Sequence, residues 1–301
     1  MTILHELSEC NTSNPLDVVY KFFRERSEDF GPVDIIKTPY HSKRSSKTES
    51  DNSYSFLQLK DESKEQCIER IFEIKIPPLD NKIDHRITTV HSSALAAMLC
   101  FHNISEENPL TVNYTFTKFQ PEYANECMKI GGDSKIDIAL FNKENRVVFF
   151  MEAKFSEYLE CKGGCFSPQY KEHLSVYLDS LPKILCYSEE NGCIKIQSNQ
   201  SGKGRYREGI KQMICHHIGA TDFLEKHPNY EKIFLGTLLF DFGKREELND
   251  YSVMYEELAK NLNTLGDKIK LEKKVFTYQD LFSYKYNKDI LPEKVKNFYN
   301  L

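Results

Sequence analysis

The sequence predicts an α/β protein whose central part follows the order helix, three strands, helix, strand between residues 88 and 242. Two patterns indicate this class. Short apolar stretches typical of strands are separated by segments in which apolar residues recur at helical spacing. The chain has 301 residues, of which 40% are hydrophobic and 28% charged, so it is long enough for one globular domain with a sizeable core.

The chain outside this central part predicts an extension on each side. Residues 16–30 have helical spacing, whereas 41–55 is rich in Ser, Lys and Asn and is predicted to be a flexible surface loop. Pro77 and Pro78 then interrupt the chain. We divide it into a helical N-terminal extension at 1–82, a core at 83–245, and a helical and mixed C-terminal extension at 246–301 that packs on the core.

The elements of the core follow from periodicity and from residue size. The segment TTVHSSALAAMLCFH is rich in small residues that allow close helix packing, and KIFLGTLLFDF is strand-like. In chain order we expect a helix at 88–102, strands at 110–119, 135–141 and 146–154, helices at 169–181 and 206–219 (ended by Gly219), a strand at 232–242 and a helix at 250–263.

The two strands at 135–154 carry the most informative charged residues. Asp137 lies inside the first strand, and Glu152 and Lys154 end the second. With the turn centred on 142–145, Phe141 faces Arg146, Asp137 faces Phe150, and Glu152 lies one diagonal step from Asp137. Such diagonal neighbours lie roughly 7–8 Å apart, near enough to share one ion.

Side-chain alternation also places Lys154 on the face of Asp137 and Glu152. This inference depends on an even number of loop residues, because an odd number or a bulge would reverse the parity. The opposite face should feed a core through Ile136, Ile138, Val147, Phe149, Met151 and Ala153.

The tripeptide Glu-x-Lys is not informative alone, because it occurs five times in this chain. Only the copy at Glu152 and Lys154 ends an apolar run and follows a second apolar run that contains an Asp. The nearest rival, at Glu73 and Lys75, follows a mostly polar stretch that offers no partner strand. The alternative interpretation of Glu152 and Lys154 is a solvated strand end.

An Asp, a hairpin and then Glu-x-Lys resemble the PD-(D/E)xK nuclease superfamily. HSSALAAMLCF and YREGIKQMICHHIGA also look like the two helices of bacterial stand-alone restriction-endonuclease-like proteins. The resemblance implies a restriction-endonuclease-like αβββαβ core with a mixed central sheet flanked by helices. The proline that names the motif is absent, because Ile136 precedes Asp137.

The resemblance also implies a set of functional residues. Asp137, Glu152 and the Ala153 carbonyl are expected to bind Mg²⁺ or Mn²⁺, and Lys154 to orient or activate the attacking water. Gln212, on the helix after the hairpin, is expected near the metal or the DNA, with His216 one turn beyond it. The expected contacts to DNA are Lys203, Arg205, Arg207 and Lys211.

Members of this superfamily often add an acidic residue from the first helix. The predicted helix at 88–102 contains no Asp or Glu, so this additional ligand cannot be assigned. The acidic residues considered are Asp84, Glu106, Glu107, Glu126, Asp133 and Glu157, the last being expected on the surface.

These features predict a magnesium-dependent endodeoxyribonuclease. The alternative is a non-catalytic DNA-binding or interaction module on the same fold. The net charge of −5 provides no global attraction to nucleic acid, so DNA contacts must come from local basic patches. No G-x-x-x-x-G-K-[ST] loop and no G-x-S-x-G elbow is present, which disfavours other phosphate or acyl chemistry. Enzymes that cut duplexes often pair two active sites, so a homodimer is among the expected states.

The sequence predicts a cytoplasmic protein without membrane association. No apolar run approaches the roughly 20 residues needed to cross a bilayer, and the N-terminus lacks the pattern of a signal peptide. The nine cysteines are therefore expected to be free thiols rather than disulfides. Structural zinc usually binds close pairs such as C-x₂-C, and the sequence contains no such pair, so a structural zinc site is not expected.

Overall fold

A computed structural model describes residues 15–25, 35–39, 52–76, 88–90, 92–124, 135–159, 164–188, 192–197, 207–284, 287 and 289–301. It is an α/β fold with a mixed central sheet flanked by helices. The helices are α1 (Pro15–Glu25), α2 (Lys64–Phe72), α3 (Ser93–Phe101), α4 (Lys171–Ser180), α5 (Arg207–Lys226), α6 (Arg245–Leu262), α7 (Tyr278–Ser283) and α8 (Glu293–Tyr299).

Twelve strands form the sheets of the described residues. They are β1 (Ile35–Pro39), β2 (Asn52–Phe56), β3 (Leu110–Thr111), β4 (Thr115–Phe116), β5 (Lys118–Ala124), β6 (Lys135–Asn142), β7 (Val147–Lys154), β8 (Leu185–Ser188), β9 (Cys193–Ile196), β10 (Lys232–Leu239), β11 (Ile269–Leu271) and β12 (Phe276–Thr277). Short 3₁₀ helices lie at Glu157–Leu159 and Pro168–Tyr170.

The central sheet has the strand order β11-β10-β7-β6-β5, and β12 also pairs with β10. β6 is antiparallel to both β5 and β7, whereas β10 is parallel to β7. Parallel neighbours need a crossover connection, and α5 lies in the segment between β7 and β10. The α/β class with a mixed central sheet is confirmed; along the chain α3, β5–β7, α5 and β10 follow one another, with β3 and β4 before β5 and with α4, β8 and β9 between β7 and α5.

Two hydrophobic clusters cover the two faces of this sheet. One contains Leu99 of α3 and Phe149 of β7, together with residues of α1, α7 and α8. The other contains Phe150 of β7 and Ile214 of α5, together with residues of α4 and α6. Alternate residues of β7 therefore enter opposite clusters, which explains why the whole strand is apolar up to Met151 and buried throughout.

The face expected to lie opposite Asp137 is confirmed for five of its six residues. Ile138, Val147, Phe149, Met151 and Ala153 belong to the cluster on the α3 side of the sheet. The prediction is wrong for Ile136, which belongs to the cluster on the α5 side. Ile136 pairs with Tyr123, just beyond Glu122, whose φ of 45° interrupts the ladder, and such an interruption locally increases the twist.

Three predicted elements differ from the structure. The expected strand at 110–119 is a small hairpin, β3 and β4, followed by the first residues of β5, and the Asn287 side chain bonds to both backbone groups of Thr111. The helix predicted to end at Gly219 continues to Lys226, with Gly219 and Ala220 buried in its interior. Residues 52–55 of the predicted flexible loop belong to β2, which pairs with β1, while 40–51 lies outside the described residues.

The expectation that all cysteines are free thiols is also wrong. Cys165 and Cys193 form a disulfide, with their Cα atoms 6.6 Å apart. The two residues meet because the segment 164–166 lies along β9, where the Phe166 amide donates to the Ile194 carbonyl. No local spacing in the sequence reveals this pairing. The other cysteines in the described part of the chain, Cys67, Cys100, Cys186 and Cys215, are free.

Candidate functional site

The β6–β7 hairpin brings the two predicted carboxylates together at Lys154. The ladder runs from Asn142 paired with Val147 to Ile138 paired with Met151, and just beyond it Asp137 accepts a hydrogen bond from the Ala153 amide of β7. The predicted register, with Phe141 facing Arg146, is therefore wrong by two residues. Its parity is right because the loop, residues 143–146, still has an even number of residues.

Lys154 lies between the two carboxylates. Its Nζ donates to Glu152 Oε1 at 2.5 Å and lies 3.9 Å from Asp137 Oδ2. All three side chains are largely buried, with 4%, 9% and 15% of the Glu152, Lys154 and Asp137 side chains exposed. The alternative of a solvated strand end therefore does not describe this group of residues.

One oxygen of each carboxylate accepts a hydrogen bond from a group other than Lys154. The Ala153 amide donates to Asp137 Oδ2 at 2.8 Å. His216 Nε2 donates to Glu152 Oε2 at 2.7 Å, across from α5 on the same face of the sheet. The sequence offers His216 or His217 as a further residue near the site, and the structure shows that His216 is the one that contacts Glu152.

The two carboxyl groups are shifted in opposite directions. Burial and the neighbouring Glu152 carboxylate raise the pKa of Asp137 well above its usual range. Burial also acts to raise the pKa of Glu152, but the Lys154 ammonium and the His216 imidazole outweigh it and lower the pKa to about 2. Glu152 therefore holds the negative charge of the pair, and Asp137 holds its proton to higher pH.

Glu122 of β5 is an acidic neighbour that the sequence did not identify. It lies across from Asp137 in the β5–β6 register and has a left-handed φ of 45°. Its carboxylate is 3.7 Å from Lys135 Nζ, and burial raises its pKa despite that ammonium. The sequence missed it because the first strand was expected to end at residue 119.

The residues predicted on α5 lie beside this group without joining it. Gln212 is one turn before His216 and bonds to none of Asp137, Glu152 and Lys154; its buried Oε1 has no hydrogen-bond partner in the described part of the chain. Lys211 forms an ion pair with Glu208 at 2.8 Å. Arg207 begins α5, whereas Lys203 and Arg205 lie outside the described residues.

Other acidic residues considered from the sequence take structural positions or are not described. Glu157 is half-buried rather than a surface residue, and it accepts from the Phe155 amide at 2.7 Å and from Ser93 Oγ at 3.4 Å. Glu106 and Glu107 are exposed in the segment after α3. Asp84, Glu126 and Asp133 lie outside the described residues.

The rival Glu-x-Lys has no comparable surroundings. Glu73 is the left-handed C-cap of α2, with φ of 57°, and forms an ion pair with Lys294. Lys75 is exposed. Of these two copies of Glu-x-Lys, the one at Glu152 and Lys154 lies beside a second carboxylate, that of Asp137.

The carboxylate oxygens of Asp137 and Glu152 are hard ligands of the kind that Mg²⁺ prefers. Mg²⁺ commonly binds only one or two protein carboxylates and completes its coordination shell with water and phosphate. No group of three or more His, Cys, Asp and Glu is arranged to hold a metal within the described ranges. The described residues therefore offer two carboxylates beside one ammonium and no larger set of metal-binding side chains.

Comparison of the chain with protein-family models, with curated proteins and with solved structures found no match. None of the described helices is long and apolar enough to cross a membrane. The function of this site is accordingly inferred from its own geometry and charge.

Proposed function

We propose that the protein is a metal-dependent nuclease that hydrolyses phosphodiester bonds of DNA as an endonuclease, built on a restriction-endonuclease-like αβββαβ core. The observation that carries the proposal is the convergence of Asp137, Glu152 and Lys154 on one face of the sheet, at the end of β7. Two carboxylates can hold a divalent cation that activates water, and an ammonium beside them can stabilise the negative charge that develops during phosphodiester hydrolysis.

Asp137 and Glu152 would hold Mg²⁺ or Mn²⁺, with the Ala153 carbonyl as a third ligand. Burial and the Glu152 carboxylate raise the pKa of Asp137, and the positive charge of a divalent cation would act in the opposite direction. When bound, the ion would supply Lewis acidity and lower the pKa of a coordinated water.

Lys154 would act on the water and on the developing charge. Its ammonium is within 3.9 Å of Asp137 and in contact with Glu152, so it can stay beside both carboxylates while it donates to a water or to a phosphate oxygen. The low exposure of this side chain strengthens its electrostatic effect, because little water screens it.

DNA binding would use basic residues around α5. Lys211 is paired with Glu208 on the helix surface, and that exchangeable pair leaves it available to a phosphate. Arg207, Lys203 and Arg205 complete the proposed phosphate contacts, and Gln212 would lie near the reacting group. A homodimer would allow both strands of a duplex to be cut.

A second candidate is a non-catalytic DNA-binding or interaction module on the same fold. It is favoured by one observation: both oxygens of Glu152 are already bonded, one to Lys154 and one to His216. A carboxylate satisfied in this way can serve as a purely structural link between β7 and α5.

Substitution of the site residues tests the proposed function. We expect Asp137→Ala and Lys154→Ala each to abolish cleavage of plasmid or single-stranded DNA in the presence of Mg²⁺. The first removes a proposed ligand of the cation, and the second removes the ammonium proposed to act on the water and the phosphate. The matched control is Lys75→Ala, which removes the exposed lysine of another Glu-x-Lys and should leave cleavage unchanged. Circular dichroism should show that all variants remain folded.

The outcomes separate the two candidates. Cleavage by the wild type that is lost with chelator and in both site variants supports the nuclease. Full cleavage by either purified site variant rejects the assigned residues. A folded wild type that neither cleaves DNA nor binds Mg²⁺ or Mn²⁺ supports the non-catalytic module.

A further inference from the structure

The contact between His216 and Glu152 is a buried polar link from helix to strand. Only 4% of either side chain is exposed, and the Nε2–Oε2 distance is 2.7 Å. Hydrogen bonds to a charged group inside a protein are stronger than neutral ones and more costly to lose. This contact therefore constrains the orientation of Glu152.

The imidazole has no second polar task in the described structure. His216 Nδ1 is buried and has no hydrogen-bond partner among the described residues. Its neighbour His217 differs, because His217 Nδ1 pairs with the Tyr177 hydroxyl at 2.8 Å and so links α5 to α4. The polar function of His216 is thus directed at Glu152 alone, within the part of the chain that is described.

The two carboxylates are held in the same way. The Ala153 amide donates a hydrogen bond to Asp137 Oδ2, and His216 donates one to Glu152 Oε2. The other two oxygens face different surroundings: Glu152 Oε1 contacts Lys154, and Asp137 Oδ1 receives no hydrogen bond from the described residues. One oxygen of each carboxylate is therefore oriented by a donor other than Lys154.

We propose that His216 is a positioning residue of the active site, which fixes the orientation of the Glu152 carboxylate for binding of the divalent cation. This inference rests on the proposed function. His216 does not touch the metal or the substrate; it fixes the ligand that does. Such partners of metal ligands typically contribute about 10- to 100-fold in metal affinity or activity.

Three variants test the proposal through Mn²⁺ affinity, measured by electron paramagnetic resonance on the full-length protein. His216→Leu removes the donor and should weaken Mn²⁺ binding about 10- to 100-fold. His216→Gln provides an amide Nε2 donor in place of the imidazole and should keep most of the affinity. His217→Leu, the matched control, removes an equally buried histidine that does not contact Glu152 and should leave Mn²⁺ affinity unchanged.

Unfolding by urea without metal separates affinity from stability. If His216→Leu does not fold, His216→Asn replaces it, because its side chain is one methylene shorter than that of Gln. Wild-type Mn²⁺ binding and cleavage together with unchanged affinity in the His216 variants would overturn the positioning role and leave the nuclease standing. An equal loss in His217→Leu would also overturn it, and a wild type that binds no Mn²⁺ would overturn both.

Discussion

At the scale of single residues, Asp137 and Glu152 lie near Lys154 on neighbouring strands, yet their pKa values are shifted in opposite directions. Glu152 contacts the Lys154 ammonium and the His216 imidazole. Asp137 accepts a hydrogen bond from the neutral Ala153 amide and lies 3.9 Å from Lys154 Nζ. Burial therefore dominates for Asp137, and the cationic contacts dominate for Glu152. Pairs of carboxyl groups whose pKa values are shifted in opposite directions are typical of functional sites.

These shifts give opposite dependences of stability on pH. The pKa of Glu152 is lowered to about 2, so its contribution is present above the unfolded value of about 4.3 and is lost as the pH falls toward 2. The pKa of Asp137 is raised, so its contribution is present below the unfolded value of about 3.9 and is lost as the pH rises through the folded pKa.

We therefore expect Asp137→Asn to stabilise the metal-free protein at neutral pH. The amide keeps an acceptor for the Ala153 amide and removes a buried acid that is costly to ionise beside Glu152. The free energy of unfolding in urea with chelator should rise by more than the roughly 0.5 kcal/mol typical of surface changes. The difference from the wild type should shrink toward pH 3, and a constant difference at both pH values would contradict this account.

At the scale of elements, β10 supports the site from its other edge. Thr237 and Leu239 of β10 lie in register with Glu152 and Lys154 of β7. Gly236, one residue earlier, has no side chain because the Phe149 ring occupies that space: an added Cβ would lie 2.8 Å from Phe149 Cε2. Phe149 in turn packs against Phe116, Phe234 and Phe276, so its ring has little freedom to move.

Gly236→Ala should therefore destabilise the fold. Overpacking of a filled core costs about 1–3 kcal/mol, and we expect a loss in this range in the free energy of unfolding measured with urea. Gly266→Ala is the matched control, because an added Cβ there meets no atom within 4 Å. Equal stability of the two variants would show that the Phe149 ring can yield.

At the scale of the whole molecule, the first and last described helices, α1 and α8, meet beneath the site strand. Phe298 of α8 packs 4.6 Å from Phe23 of α1 and 5.1 Å from Phe72 of α2, measured between ring centroids. Phe155, the residue after Lys154, packs 4.5 Å from Phe240 and 5.8 Å from Tyr299. Segments predicted as extensions thus supply part of the core that supports the end of β7.

Phe298→Ala should consequently destabilise the whole protein. Removing a fully buried aromatic ring costs about 3–5 kcal/mol through lost burial and the cavity left behind. Tyr284→Ala is the control, because Tyr284 is 62% exposed and its loss should change stability by about 0.5 kcal/mol or less. Urea unfolding followed by circular dichroism measures both, and a small effect of Phe298→Ala would mean that α8 is not part of the cooperative unit.

The order of the central elements could be predicted because it is written in local patterns. The apolar runs of β6, β7 and β10 and the small-residue helix α3 indicate their type from side-chain size and period alone. The shared face of Asp137, Glu152 and Lys154 also follows locally, since alternation survives any even loop. The resemblance to a nuclease family stays a prediction that the cleavage assay must test.

What the sequence by itself determined was the α/β class, the type of the central helices and strands, and the even loop of the β6–β7 hairpin. Only the tertiary structure decided the register of that hairpin, the contact from His216 to Glu152, and the approach of Glu122 to Asp137. The physical reason is range: periodicity reports which face a residue takes, whereas register, helix docking and the disulfide depend on how distant segments fill the same space.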